Sequence, residues 1–413
     1  MRIALVTQYF WPETFSINDM VKELVHQGHT VDVYTGKPNY PEGDVFPGYG
    51  EDDAIEEYYE DNIRVFRSPL RARRAGGAGN LFRNYLSFVW NGIRYFPGAM
   101  KGHRYDLIFV FTLSPITSVI PAIFLKWRFR LPLVIWVLDL WPQSLEATGY
   151  VRNPLVLRGV GLLVKFIYCC SDVILVQSKA FVGAVSKYVP RKKIEYFSNF
   201  SRDFLREKHQ SISTVSQVIL NEIKQHFSIV FTGNVGTAQA IDTLLDAAEL
   251  LQDIPDFRLV VVGSGSLSEW LNKEIEERNL LNVMTVGRYP SSDMPVFLSH
   301  ATGALVSLKH SDVYAQTVPA KIQTYMAAGI PIVASLNGEG ARVINEAGAG
   351  LTCNAEDVVA LVGCIRQLYE MTSEERDTMG RSGRLYFLEN FELSGQAERL
   401  TNILNRVIQT RSL

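Results

Sequence analysis

Short apolar runs alternate with amphipathic stretches along nearly the whole chain, and this alternation restricts the fold more than any other feature of the sequence. Most of the runs at 2–8, 30–35, 63–67, 106–112, 133–138, 172–177 and 193–197 are rich in Val, Ile, Leu and Phe. So are most of those at 227–232, 257–262, 282–286, 303–307, 330–334 and 350–353. Most lack an inside/outside alternation, the pattern of parallel strands covered on both faces. Between them, stretches such as 17–26, 238–251 and 266–278 carry helical spacing. A parallel strand pair needs a long crossover, so strand–helix alternation predicts an α/β fold. The series runs twice, with a polar break at 198–217, and 413 residues is too long for one hydrophobic core. The expectation is two doubly wound, Rossmann-like domains, 1–200 and 201–390, facing an interdomain cleft, with a final helix at about 391–413 packing back on the first.

Charge and cysteine content exclude several classes. The formal net charge is −2, which makes no case for nucleic acid, and nothing resembles a module that reads RNA or DNA. The four cysteines (Cys169, Cys170, Cys353, Cys364) form no C-x-x-C pair, against a disulfide scaffold or thiolate zinc site and in keeping with a reducing, cytoplasmic setting. The N-terminus, MRIALVTQYFWPE, does not read as a signal peptide. Residues 107–125 hold no charge, but Thr112, Ser114, Pro115, Thr117, Ser118 and Pro121 interrupt them, so a strand, turn and helix are expected there rather than a membrane span. The halves differ in charge, with residues 1–200 at net +5 and the remainder at −7. Residues 51–61 carry seven acids and no base, and 64–104 carry nine bases and no acid. Those bases interleave with Phe82, Tyr85, Phe88, Trp90, Tyr95 and Phe96, and Lys126-Trp127-Arg128-Phe129-Arg130 repeats the chemistry. Two readings are open: a solvated surface over core aromatics, or a face resting on anionic lipid at the inner side of the cytoplasmic membrane.

Three segments are candidates for chemistry. FTGNVGTAQAIDTLLDAAEL is a buried strand, a glycine turn (Gly233, Gly236) and a helix, which lets backbone N–H groups approach a phosphate. VVGSGSLSEWL ends a strand at Gly263 and Gly265, but Ser268 stands where a dinucleotide fingerprint needs its third glycine, which disfavours a nicotinamide enzyme. In LKHSDVYAQTVPAKIQTYMAAGIPIVAS, Pro319 opens a helix that Gly329 closes. Lys321 then falls in the first turn, where the helix dipole disfavours a cation unless an anion such as a diphosphate is near; the alternative is a side chain pointing to water.

Taken in order, QYFWPETFSINDMVKELVHQGHTVDVYTGKPNYPEG, LDLWPQSLEATG, FTGNVGTAQAIDTLL, VVGSGSLSEWL, NVMTVGRYP and VPAKIQTYMAAGIPIVAS resemble the retaining, nucleotide-sugar-dependent glycosyltransferases of GT-B fold, over almost the whole chain. The subgroup it resembles transfers N-acetylated amino sugars or deoxy sugars in O-antigen or capsule assembly. That resemblance implies a UDP-linked sugar donor, a polyprenyl-diphosphate-linked saccharide acceptor, peripheral membrane contact, and no metal or cofactor.

Residue by residue, the resemblance is incomplete. The family's diphosphate-clamping Arg and Lys correspond to Asn234 and Gln239, and its paired glutamates to Gln316 and Thr324. The Gly-Gly loop near the N-terminus becomes Phe15-Ser16, and the His before Asp139 becomes Leu138. Either the site is rebuilt from amides and hydroxyls, or it has decayed; the retained hydrogen-bonding character favours rebuilding. The roles implied are Lys321 on the β-phosphate with Gly233, Gly236 and Gly265 lining the donor loop, and Gln316 and Thr317 on the sugar. Thr324 falls to the ribose, and Arg288 to the base or a phosphate unless it forms a surface salt bridge. On the acceptor side stand Glu13, Glu146 and Asp139, the last as a catalytic residue or as a helix N-cap. A nucleotide-sugar epimerase and a non-catalytic sugar-nucleotide-binding subunit are the alternatives.

Overall fold

The computed structural model describes residues 1–60, 62–74, 77–147, 151, 153–206 and 214–412, so the acidic run 51–61, the motif ending at 149, the polar break at 198–217 and the end of the final segment lie partly outside it. The described chain divides into unit 1, Met1–Ser198 with Leu393–Leu413, and unit 2, Asn199–Glu392.

Unit 1 is built on β1 (Arg2–Val6), β2 (Thr30–Thr35), β3 (Ile55–Tyr59), β4 (Ile63–Arg67), β5 (Leu107–Thr112), β6 (Leu133–Val137), β7 (Val173–Val176) and β8 (Ile194–Tyr196). They lie in the order β3-β4-β2-β1-β5-β6-β7-β8, parallel except for β3 against β4. Strands β5 and β6 are buried at every position, as their unbroken apolar runs predict. The strand order reverses between β1 and β5, so the loops following these two strands flank the switch point. Helix Leu393–Ser412 packs on helix Ser16–His26 of the same unit, where Ser394 Oγ donates to Glu23 Oε1 at 2.8 Å.

Strand β3 is absent from the sequence expectation, and the reason is electrostatic. Its acids resemble a solvated loop, yet β4 places arginines diagonally to them: Arg64 Nη2 donates to Glu56 Oε2 at 2.7 Å, and Arg67, fully buried, pairs with Glu57. Opposite charges across an antiparallel pair stabilise an edge strand that its composition disfavours. Residues 107–125 comprise β5, a 3-10 turn Ile116–Val119 and the start of helix Ile120–Phe129. No helix among the described residues is long and apolar enough to cross a membrane.

Unit 2 carries β9 (Phe227–Thr232), β10 (Phe257–Val262), β11 (Val283–Gly287), β12 (Gly303–Ser307), β13 (Ile332–Ser335) and β14 (Gly350–Cys353), all parallel. Their order, β11-β10-β9-β12-β13-β14, is that of a dinucleotide-binding domain, with the switch point between β9 and β12. Strand β13 starts two residues later than its apolar run, after Pro331, which has no N–H to give to the ladder.

Candidate functional site

The chemistry-bearing residues of unit 2 converge at the carboxyl ends of β9, β10 and β11. Beyond β9 the chain turns through Gly233 at φ +106°, and beyond β10 through Gly263 at φ +154°. These two glycines touch: a Cβ on Gly263 would lie 1.8 Å from the Gly233 carbonyl oxygen. Gly265 is as constrained, its absent Cβ falling 2.3 Å from the Val235 carbonyl oxygen. The backbone then zips the loops together. Gly233 N–H donates to Val262 O at 2.8 Å, Val235 N–H to Ser264 O at 3.0 Å and Gly263 N–H to Gly287 O at 2.8 Å. The Gly233 and Val235 amides are therefore held by the protein itself. The expectation that N–H groups of the glycine turn approach a phosphate therefore does not extend to these two.

A cavity of about 410 Å³ opens here, lined by Gly233, Asn234, Gly263, Gly265, Arg288 and Tyr289 among others. Arg288 is exposed and enters no ion pair among the described residues, so the surface-salt-bridge reading does not hold. The two neutral residues standing where cations were expected meet each other, Asn234 Nδ2 donating to Gln239 Oε1 at 3.4 Å, and Gly236 leaves room for them.

Lys321 occupies the first turn of helix Ala320–Ala328, which Pro319 precedes and Gly329 (φ 69°) caps in the left-handed conformation. Its side chain runs inward rather than to water. Nζ is buried, sits 3.4 Å from the centroid of the Phe231 ring, and has no hydrogen-bond partner among the described residues. The stem packs against Gly233, where a Cβ would come within 3.2 Å of Cε. Burial pushes the ammonium down to about 7 from its ordinary 10.5, because no carboxylate offsets the lost hydration. One turn on, Tyr325 stitches this helix to the switch point: its hydroxyl accepts from Thr232 N–H at 3.0 Å and donates to Leu305 O at 3.4 Å, on β9 and β12.

Gln316, Thr317 and Thr324 lie on the segment after β12 and outside the lining of this cavity. Gln316 Nε2 donates to Asp312 O at 2.9 Å, Thr317 Oγ1 to Tyr314 O at 3.0 Å and Thr324 Oγ1 to Ala320 O at 3.2 Å. With their protons directed at local carbonyls, the two hydroxyls present acceptor lone pairs.

In unit 1 the expected acceptor-side carboxylates have local work. Glu13 is buried; Oε1 accepts from the N–H groups of Asn39 at 2.9 Å and Tyr40 at 2.8 Å, and Oε2 from Phe10 at 3.2 Å. It ties the loop after β1 to the loop after β2, and burial raises its carboxyl to about 7 against these three donors. Asp139, after β6, does not cap the next helix: its Oδ2 accepts from Ser114 N–H at 3.1 Å and Ser114 Oγ at 2.8 Å, in the loop after β5. Glu146 is exposed on the short helix Gln143–Ala147.

Sequence reasoning missed several groups. Phe231 and Tyr325 are among them, although Tyr325 follows Lys321 by four residues and so shares its helix face. A cluster of Tyr9, Phe15 and Tyr40, with ring centroids 5.3–5.9 Å apart and the Arg73 guanidinium 5.3 Å over Tyr40, had no sequence signal. Its members come from three separate loops, those after β1, β2 and β4.

A parallel sheet of this order, a glycine-built cavity at its carboxyl edge and a buried ammonium beside it define a phosphate- or nucleotide-binding α/β domain. Residues 214–386 match the family described as glycosyl transferases group 1, and residues 15–199 the glycosyl transferase 4-like domain. Together these cover most of the chain, which belongs to the glycosyltransferases of GT-B fold. It is 25% identical over 393 residues to the putative colanic acid biosynthesis glycosyl transferase WcaI of Escherichia coli (strain K12), covering 89% of this chain and 92% of that one. Among solved structures it is similar to sucrose-phosphate synthase from Thermosynechococcus elongatus, with TM-score 0.74 and 18% identity over 99% of each chain. It is also similar to Anabaena Alr3699/HepE in complex with UDP, with TM-score 0.68 and 13% identity over 98% of this chain and 100% of that one.

Proposed function

We propose that this glycosyltransferase moves a sugar, of the N-acetylated amino or deoxy type, from a UDP-linked donor to a lipid-linked saccharide in surface polysaccharide assembly. Support for the donor comes from the UDP bound by the HepE relative in fold, and support for the polymer from the name of WcaI. The observation that carries the reading is Lys321, a buried and unpartnered ammonium packed on the glycine loop of the cavity. An orphan buried cation destabilises a domain unless an anion supplies its missing partner, and a diphosphate has the right charge and size.

In this scheme unit 2 holds the donor. The bond from the anomeric carbon to the β-phosphate oxygen breaks and its electron pair passes to that oxygen. Lys321 and the N–H groups entering its helix stabilise the charge that develops there. The acceptor hydroxyl attacks the same face, and its proton leaves on the departing phosphate, which retains the anomeric configuration. Arg288 reaches the base or a phosphate from the cavity's open side; Thr317 and Thr324 accept hydrogen bonds from sugar and ribose hydroxyls. Glu13 and Asp139 position acceptor-side loops.

Two measurements test this reading. Binding of UDP raises the Lys321 pKa from about 7, so above neutrality each binding event takes up a proton. Calorimetry is expected to show the UDP dissociation constant rising about tenfold per pH unit as pH increases from about 7. In Lys321→Arg, which stays protonated, this slope disappears; a flat profile in the parent would remove Lys321 from the phosphate. Sugar transfer is expected to be unchanged by EDTA, and a magnesium-restored activity would sink the metal-free scheme. Isomerised donor in the absence of acceptor would mark an epimerase instead.

A further inference from the structure

Three helices of unit 1, Ala78–Met100, Ile120–Phe129 and Pro154–Cys170, pack side by side in that order. Gly92 permits the first contact, since a Cβ there would lie 2.8 Å from Pro121. The first helix is divided along its length: Asn84, Phe88, Gly92, Phe96 and Met100 face the core, while Phe82, Leu86 and Trp90, at the same four-residue spacing, are exposed. Trp90 is 69% exposed. The second helix exposes Trp127, whose ring lies 6.3 Å from that of Phe166 on the third. The third also exposes Leu155 and Leu162, the latter at 70%. Exposed apolar side chains spread over three adjacent helices mark a contact surface rather than scattered surface leucines.

Charge identifies the occupant. Residues 62–171 contain fifteen bases and three acids, and none of those acids is on the three helices. Arg83, Arg94, Arg128, Arg158 and Lys165 are exposed beside the apolar side chains and enter no ion pair among the described residues. A second copy of this chain, docked symmetrically, would set these cations against themselves. Tryptophans amid unpaired arginines match the boundary of an anionic bilayer, where rings sit at headgroup depth and guanidinium groups meet phosphates.

We infer that the three-helix face Ala78–Met100, Ile120–Phe129 and Pro154–Cys170 docks unit 1 onto an anionic membrane surface, with Trp90, Trp127 and Leu162 as the inserted side chains. Helix Pro154–Cys170 extends this face well beyond the basic–aromatic segment visible in the sequence. The inference is independent of the donor site and survives or fails apart from it.

The test is flotation of the full chain with phosphatidylcholine vesicles, with and without phosphatidylglycerol, at low and high salt. The parent is expected to float with the anionic vesicles at low salt and to be released by salt, which screens surface charge. The double variant Trp90→Glu/Leu162→Glu is expected to bind them at least about tenfold less. Both side chains are largely solvent-exposed, and an unchanged thermal shift with UDP reports an intact fold. If the variant loses that shift, Arg83→Gln/Arg158→Gln is expected to weaken flotation alone. Equal flotation with neutral vesicles, or flotation unaffected by both variants, would overturn the inference. So would parent dimers in sedimentation that Trp90→Glu/Leu162→Glu dissociates, which would make the face an interface between copies. Transfer to a water-soluble acceptor fragment is expected to be unchanged in the variants, which separates docking from catalysis.

Discussion

Lys321→Met is expected to lose sugar transfer by at least about a hundredfold while making unit 2 more stable. The first half follows from removing the buried charge assigned to the leaving diphosphate; a single preorganised donor of this kind typically supplies about 3 kcal/mol of transition-state stabilisation. The second half follows from linkage. The Lys321 ammonium is pushed from 10.5 down to about 7 in the folded chain. Between these values the unfolded chain binds more protons than the native one, so native stability rises with pH across that window. Methionine fills the same space over Phe231 without a charge to desolvate. At about 1.4 kcal/mol per pKa unit, its advantage is of order 4 kcal/mol near pH 7, disappearing toward pH 10.5. Thermal denaturation with and without UDP reads both effects: a Tm higher by several degrees in the free variant, and no shift on adding nucleotide. A variant that is less stable and still active would make Lys321 a structural residue.

Gly263→Ala is expected to be the most damaging small substitution in unit 2. The methyl group would be placed 1.8 Å from the Gly233 carbonyl oxygen, in a backbone conformation (φ +154°) that residues with a Cβ rarely adopt. Relief requires the loops after β9 and β10 to separate, breaking the bond from Gly233 N–H to Val262 O and deforming the cavity. Overpacking and backbone strain together predict a loss of at least about 3 kcal/mol and of UDP binding. Gly287→Ala is the control, because Gly287 also has positive φ (+77°) but nothing within 4 Å of its added Cβ. It is expected to cost about 1 kcal/mol from the left-handed conformation alone. Equal effects of the two substitutions would show that close approach of the two loops is not what builds the site.

Much of this architecture was legible from residue order. Parallel strands buried on both faces are continuous apolar runs, so β5, β6 and β9 fall within a residue of where their composition places them. Lys321 was legible as well, because Pro319 and Gly329 punctuate its helix and a first-turn cation calls for an anion. Strand β3 was not, since its acids are accommodated by Arg64 and Arg67 of the neighbouring strand and by the Tyr49 hydroxyl. The carboxylates of Glu13 and Asp139 showed their type in the sequence, but their hydrogen-bond partners come from Tyr40 and Ser114, tens of residues away.

The sequence by itself therefore determined the two α/β series, the glycine turns and the position of the lone basic residue in its helix, because each rests on local periodicity or on the backbone freedom of one residue type. Tertiary structure alone decided that the Lys321 ammonium lies buried over Phe231, that the Gly233 amide is already occupied, and that helix Pro154–Cys170 shows its leucines to solvent. These are properties of which distant segments meet, and whether a polar or apolar group has a partner is settled only when the chain has closed around it.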